Sequence, residues 1–156
     1  KEGDVVALNS GTTNTVLAQE MSGFNLKFTV VTNNYAALSI LMQNPAIRLI
    51  AVGGTVDPLE RSTYGNVCER EFAAYRPDLA FLSINGYTDF RLDEIGVIQT
   101  LARNARRVVA VMDSSKLGQC SKRVVLLPEQ VDLLLMDDHV SPEVREQYRS
   151  KGIEIQ

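Results

Sequence analysis

Histidine is nearly missing from this chain and tryptophan is missing altogether. His139 is the sole imidazole, so a hydrolase triad would have to use it, and no G-x-S-x-G turn accompanies it. It follows Asp137-Asp138 just ahead of a helix start, where an exposed loop residue is expected. Cysteine is almost as scarce. Cys68 and Cys120 are the only two, and they stand too far apart for metal-ligand or redox spacing. A reduced pair in a cytoplasmic protein is the expectation, with no metal site. No apolar run approaches the roughly 20 residues that span a bilayer, and the first residues do not resemble a signal peptide. No G-x-G-x-x-G follows a strand and no G-x-x-x-x-G-K-[ST] occurs, so neither a dinucleotide site nor a P-loop is supported. An excess of positive charge is lacking too. Sixteen Lys and Arg face nineteen Asp and Glu, which leaves no global field for a nucleic-acid backbone. Arg103, Arg106 and Arg107 form a local basic cluster, readable as phosphate contacts or as a solvated helix end.

What the chain does have is 45% hydrophobic residues within a length of 156, enough for one core and one domain. Its opening, Lys1-Glu2-Gly3-Asp4 directly before an apolar run, suggests a piece of something longer. Short apolar runs alternate with helical patterns. Val5-Val6-Ala7-Leu8 reads as a buried strand, with a helix marked by Val16, Leu17, Glu20 and Met21. Phe28-Thr29-Val30-Val31 is a second strand, followed by a helix through Ala37, Leu38, Leu41 and Met42 that stops before Pro45. Residues 47–52 form a third strand. Residues 55–63 read as a loop or short hairpin, and 65–75 as a helix. Leu79-Ala80-Phe81-Leu82 is a strand, 94–105 a helix and Val108-Val109-Ala110-Val111 a strand. Val124-Val125-Leu126-Leu127 and residues 131–136 read as two more. Ser141-Pro142-Glu143 starts a helix, with a cap and then Pro, and Gly152-Ile153-Glu154-Ile155 closes the chain as a strand. Strands alternating with helices, each strand apolar on both faces, predict an α/β fold: a mostly parallel sheet with helices on both faces.

Ligands of such sheets bind beyond the carboxyl ends of the strands, and the small polar residues gather there. Ser10, Gly11, Thr12 and Thr13 follow the first strand. Thr32 and Asn33 follow the second, Gly53 and Gly54 the third, Asn85 and Gly86 the fourth. Asp113, Ser114, Ser115 and Lys116 follow the strand near residue 110. A glycine permits close backbone approach. The next helix begins with unpaired N–H groups and a partial positive charge. Residues 10–13 are therefore either an anion cradle or simply a strand-to-helix turn. Lys116 is a point charge suited to phosphate, or else a surface lysine. Thr32 and Asn33 suit a sugar hydroxyl, or the turn's own backbone.

The ordered series Gly3-Asp4, Ser10-Gly11-Thr12-Thr13, Thr32-Asn33, Gly53-Gly54, Gly65, Asn85-Gly86 and Asp113-Ser114-Ser115-Lys116 resembles the C-terminal sensor domain of DeoR-type bacterial transcriptional repressors. The likeness covers nearly all of residues 1–156. It implies a fold of the ribose-5-phosphate isomerase and coenzyme A transferase group. It also implies an effector-sensing role in sugar metabolism, with no catalytic residue and no cofactor. By the resemblance, operator DNA is bound by a winged helix-turn-helix segment ahead of Lys1 and not by this domain, a phosphorylated sugar or related metabolite modulates that binding, the protein is a homo-oligomer, and no membrane is involved. The phosphate loop would be Ser10, Gly11, Thr12 and Thr13. Thr32, Asn33, Gly53, Gly54, Gly86 and Glu94 would line the pocket, and Lys116 would be its cation. Four positions depart from the pattern. Asn9 stands where Asp is usual, Ile98 where Lys is common, Arg91 where Gly precedes Leu, and Met136 where Thr precedes Asp137. The first two change the charges expected in the pocket. An isomerase of the same fold is the alternative, with Asp113, Glu94 and Lys116 as its candidate groups.

Overall fold

The computed structural model describes residues 1–84, 92–116 and 125–156. Seven strands form one parallel sheet: β1 (Val5–Leu8), β2 (Phe28–Thr32), β3 (Ile47–Ala51), β6 (Leu79–Ser83), β7 (Val108–Val111), β8 (Leu133–Leu135) and β9 (Glu154–Ile155). A separate hairpin, β4 (Thr55–Asp57) with β5 (Ser62–Tyr64), occupies the stretch read as a loop or hairpin. The helices are α1 (Thr12–Ser22), α2 (Tyr35–Leu41), α3 (Gly65–Ala73), α4 (Leu92–Asn104) and α5 (Pro142–Arg149). Among the described residues, no helix is long and apolar enough to cross a membrane.

Burial explains the layering. In-register neighbours share a face of the sheet. Val6, Leu8, Phe28 and Val30 pack under Ala18 and Met21 of α1 and Ala37 and Leu41 of α2. On the opposite face, Ala7, Val31, Ala80, Leu82 and Val108 pack under Cys68 and Phe72 of α3 and Val97, Ile98 and Leu101 of α4. Ala110 pairs in register with Leu82 and Leu134, which puts α5, through Val144 and Tyr148, on that second face. Helices therefore cover both faces, as the apolar strands require.

Two features of the sequence take other forms. Of the expected strand at 124–127, Val124 lies outside the described residues. Residues 125–127 are not a strand, because β8 pairs directly with β7 and leaves no place between them. The Leu127 N–H is taken by the Gln130 side chain, and Pro128 opens a 3-10 turn, Pro128–Gln130. Val125 and Leu126 are apolar because they pack on the α3/α4 core. Ile98, where the resemblance led us to look for a lysine, is buried in the same core.

The strand order is β3-β2-β1-β6-β7-β8-β9. From β1 the chain moves outward to β3, then returns to pair β6 against the other side of β1. The direction of winding reverses between β1 and β6, and in open parallel sheets the ligand crevice lies at that reversal, beyond the carboxyl ends. Gly54 helps to hold β3 to its return. It has φ 145°, and a Cβ there would lie 2.7 Å from the Tyr64 carbonyl oxygen and 3.0 Å from the Cys68 Cβ. Gly54→Ala is expected to cost about 1–3 kcal/mol through strain and crowding, measurable by denaturant melts.

Candidate functional site

Because all seven strands run the same way, the segments after β1, β2, β3, β6 and β7 end on one rim. Gly86 lies outside the described residues. Residues 10–13, Thr32, Asn33, Gly53, Gly54 and the 3-10 turn Ser114–Lys116 are all on that rim.

The turn after β1 is pinned from inside. The Gly11 carbonyl accepts from the Thr15 N–H at 3.1 Å, the Thr15 hydroxyl at 3.2 Å and the Asn34 Nδ2 at 3.1 Å. Gly11 has φ 125° and ψ 150°, a backbone state open only to glycine. With its carbonyl held inward, the chain enters α1 with no side-chain cap and no acidic residue in the first turn. The first N–H groups of a helix have no intrahelical acceptor, so this end carries a partial positive charge that no acidic residue of its own first turn offsets. Thr12 is exposed, and Ser10 is buried with its hydroxyl 3.4 Å from Glu94 Oε1 of α4. Glu94 thus reaches across the β1–β6 crevice.

Asn9 does something the sequence did not suggest. Its Nδ2 donates to the Ser83 carbonyl at 3.1 Å, and its Oδ1 accepts from the Ser83 N–H at 2.7 Å. Asn14 Nδ2 then bonds Asn9 Oδ1 at 2.8 Å and the Phe81 carbonyl at 3.0 Å. The amide adds a rung between β1 and β6 past the end of their ladder. An aspartate would supply only the acceptor. Asn9, 2% exposed, therefore holds the crevice together from beneath.

Thr32 and Asn33 likewise spend polar groups on the frame. Thr32 Oγ1 donates to the Leu8 carbonyl at 2.7 Å and accepts from the Asn34 N–H at 3.0 Å. Asn33 Nδ2 donates to the Thr63 carbonyl at 2.5 Å, tying the hairpin to β2. Asn33 Oδ1 and the Ser83 hydroxyl are buried without a protein partner among the described residues. Neither Asn14, Asn34 nor Ser83 was singled out by sequence, because each acts through a partner 19 to 74 residues away.

The cation sits in a small built turn. Lys116 Nζ is 3.1 Å from Asp113 Oδ2, and the lysine side chain is only 20% exposed. Hydrogen bonds from Ser115 and Lys116 hold the Asp113 carboxyl below its ordinary range. Asp137, at the end of β8, accepts the Ser114 N–H at 2.8 Å and the His139 N–H at 3.0 Å. The Ser114 bond is the larger cause of a lowered Asp137 pKa. A carboxyl whose folded pKa is depressed stabilises above its unfolded value and loses that contribution as pH falls through the folded one. The Lys116 turn should therefore loosen below about pH 4. Asp137→Ala should weaken anion binding while Asp137→Asn, which keeps an acceptor, restores most of it, as titration calorimetry can check.

The three arginines fall away from the rim. Arg106 and Arg107 precede β7 on the opposite edge and pair with Asp78 at 3.2 Å and Glu154 at 3.5 Å. Arg103 donates to Thr100. Burial pushes the Cys68 thiol up to about 11, so it stays protonated at neutral pH. Cys120 lies outside the described residues. His139 is exposed in a turn. Among the described residues, no group of three His, Cys, Asp or Glu could hold a metal.

The family profile described as the DeoR C terminal sensor domain matches residues 1–138. Curated relatives align over almost the whole chain. The HTH-type transcriptional regulator GolR of Listeria innocua is 27% identical over 99% of this chain and 63% of its own length. The lactose phosphotransferase system repressor of Lactococcus lactis is 29% identical, over 95% of this chain and 60% of its own length. The HTH-type transcriptional repressor GlcR of Bacillus subtilis is 26% identical, over 87% and 54%. The chain spans about three-fifths of the length of the curated relatives it matches.

Proposed function

Because this chain belongs to the DeoR C-terminal sensor domain family, we propose that it is the effector-binding part of a cytoplasmic transcriptional regulator of sugar metabolism. Its ligand is a small phosphorylated sugar or related metabolite. The observation that carries this reading is the start of α1: an uncapped helix end, pinned by three donors on Gly11, at the crevice between β1 and β6. Such a turn accommodates anionic groups, phosphate among them.

The phosphate rests on the first amides of α1 and on the hydroxyls of Ser10, Thr12 and Thr13. Lys116, two strands away from β1, stands roughly 10 Å across the rim at ordinary strand spacing, within reach of the far side of a sugar phosphate. Thr32, Asn33, Gly53 and Gly54 border the rim on the other side of β1, after β2 and β3, and Glu94 accepts from a sugar hydroxyl. A ligand shifts an equilibrium only by binding one state better. Here the phosphate favours the state in which the Ser10 and Lys116 turns close on it. That closure is passed to a DNA-binding segment of the intact homo-oligomeric regulator. The role is binding, not catalysis.

A thermal-shift screen of sugar phosphates against the corresponding neutral sugars tests this. At a hundredfold excess over Kd, the matching phosphate adds about 2.7 kcal/mol of stability, and the same compound is recovered unchanged after incubation. Equal shifts from neutral sugars, or turnover of the phosphate, would count against the reading.

A further inference from the structure

The turn after β3 already holds an anion, and it belongs to the protein. The Gly53 N–H donates to Glu71 Oε2 at 2.7 Å, a short charge-assisted bond. Glu71 comes from α3 and is exposed, so its carboxylate sits at the surface of the rim and is not locked in the core. Gly53 has no positive φ to justify its lack of a side chain. A Cβ at Gly53 would stand against the same carboxylate, 3.4 Å from Glu71 Oε1. With no side chain of its own, Gly53 presents its N–H to an anion at the rim, and the carboxylate of Glu71 occupies it.

We infer that the Gly53 amide is a second anion seat on the rim, occupied by Glu71 until a ligand displaces it. This rests on the reading above in one respect, that the rim receives an anionic metabolite. β3 stands two strands from β1, so the two seats are about 10 Å apart at ordinary spacing. A ligand with two anionic groups, a bisphosphorylated sugar or a phosphorylated sugar acid, fills both. A single monophosphate fills the α1 seat and leaves Glu71 in place, and only a second, more weakly held anion reaches Gly53. Glu71 then acts as a specificity-determining residue. A ligand that binds only the minor open state has its affinity reduced by that state's population. Displacement also breaks the side-chain hydrogen bond between α3 and the end of β3, a structural consequence that the singly anionic ligand lacks.

The test uses inorganic phosphate as probe and 15N amide resonances as readout, with Gly11, Thr12 and Thr13 reporting on one seat and Gly53 on the other. In Glu71→Ala the phosphate midpoint at Gly53 should fall about tenfold, the factor expected if the seat is open one-tenth of the time in the parent. Glu71→Gln, which keeps an acceptor without charge, should fall between. The midpoint at residues 11–13 should not move in either variant. An unchanged or weaker response at Gly53 in Glu71→Ala would overturn the inference and leave the α1 pocket standing. Silence at residues 11–13 with a response at Gly53 would sink the α1 pocket alone. Silence at both removes both.

Discussion

Asn9→Ala should lower stability by about 3–5 kcal/mol. The figure follows from what the substitution strands. The Ser83 N–H loses its acceptor at 2.7 Å and the Ser83 carbonyl its donor at 3.1 Å, both in a buried position. Asn14 Nδ2 loses one acceptor, at 2.8 Å, and keeps the Phe81 and Asn9 carbonyls. A buried polar group left unpaired costs about 1–3 kcal/mol, more than a hydrogen bond contributes when made. Asn9→Asp is the informative companion. It keeps the acceptor but faces the Ser83 carbonyl with a carboxylate oxygen. It should be destabilised at neutral pH and partly recover as acid protonates it, because a protonated carboxyl donates again. Urea melts at two pH values separate the variants. If Asn9→Ala melts with the parent, the rung between β1 and β6 is not what fixes the crevice.

The same residue shows where sequence reading ended. Asn9 stood out as a lost charge in a ligand pocket. The structure gives it a frame role instead, because its partners lie on β6, seventy-four residues on. The rim itself was legible. Apolar runs of four or five residues, each ending in Ser, Thr, Asn or Gly, can satisfy burial on two faces only as parallel strands, and parallel strands bring their polar ends to one edge. The pairing of Glu71 with Gly53 and of Asp137 with Ser114 left no local trace. Both join elements whose approach is decided by helix packing and strand order, and a carboxylate on an amphipathic helix looks the same in sequence whether it meets solvent or a backbone N–H. Residues 125–127 misled for the complementary reason: an apolar run says that a segment is covered, not that it pairs.

Lys116 and Asp113 should move ligand affinity in opposite directions. The two form an i,i+3 ion pair within one 3-10 turn, 3.1 Å apart. An incoming phosphate must share the lysine with that carboxylate. Lys116→Ala removes a charge-assisted hydrogen bond, which is worth about 1.5–3 kcal/mol. Binding of the matching sugar phosphate should weaken roughly ten- to hundredfold, while a neutral sugar loses little. Asp113→Asn leaves the lysine in place and removes its competitor, so phosphate should bind more tightly and the gain should shrink as salt is raised. Titration calorimetry of both variants at low and high ionic strength makes the comparison. Equal losses for phosphorylated and neutral sugars in Lys116→Ala would mean that the lysine only props up its turn. Tighter binding in Asp113→Asn alongside weaker binding in Lys116→Ala would be hard to obtain from a turn that merely folds, since removing either partner breaks the same ion pair.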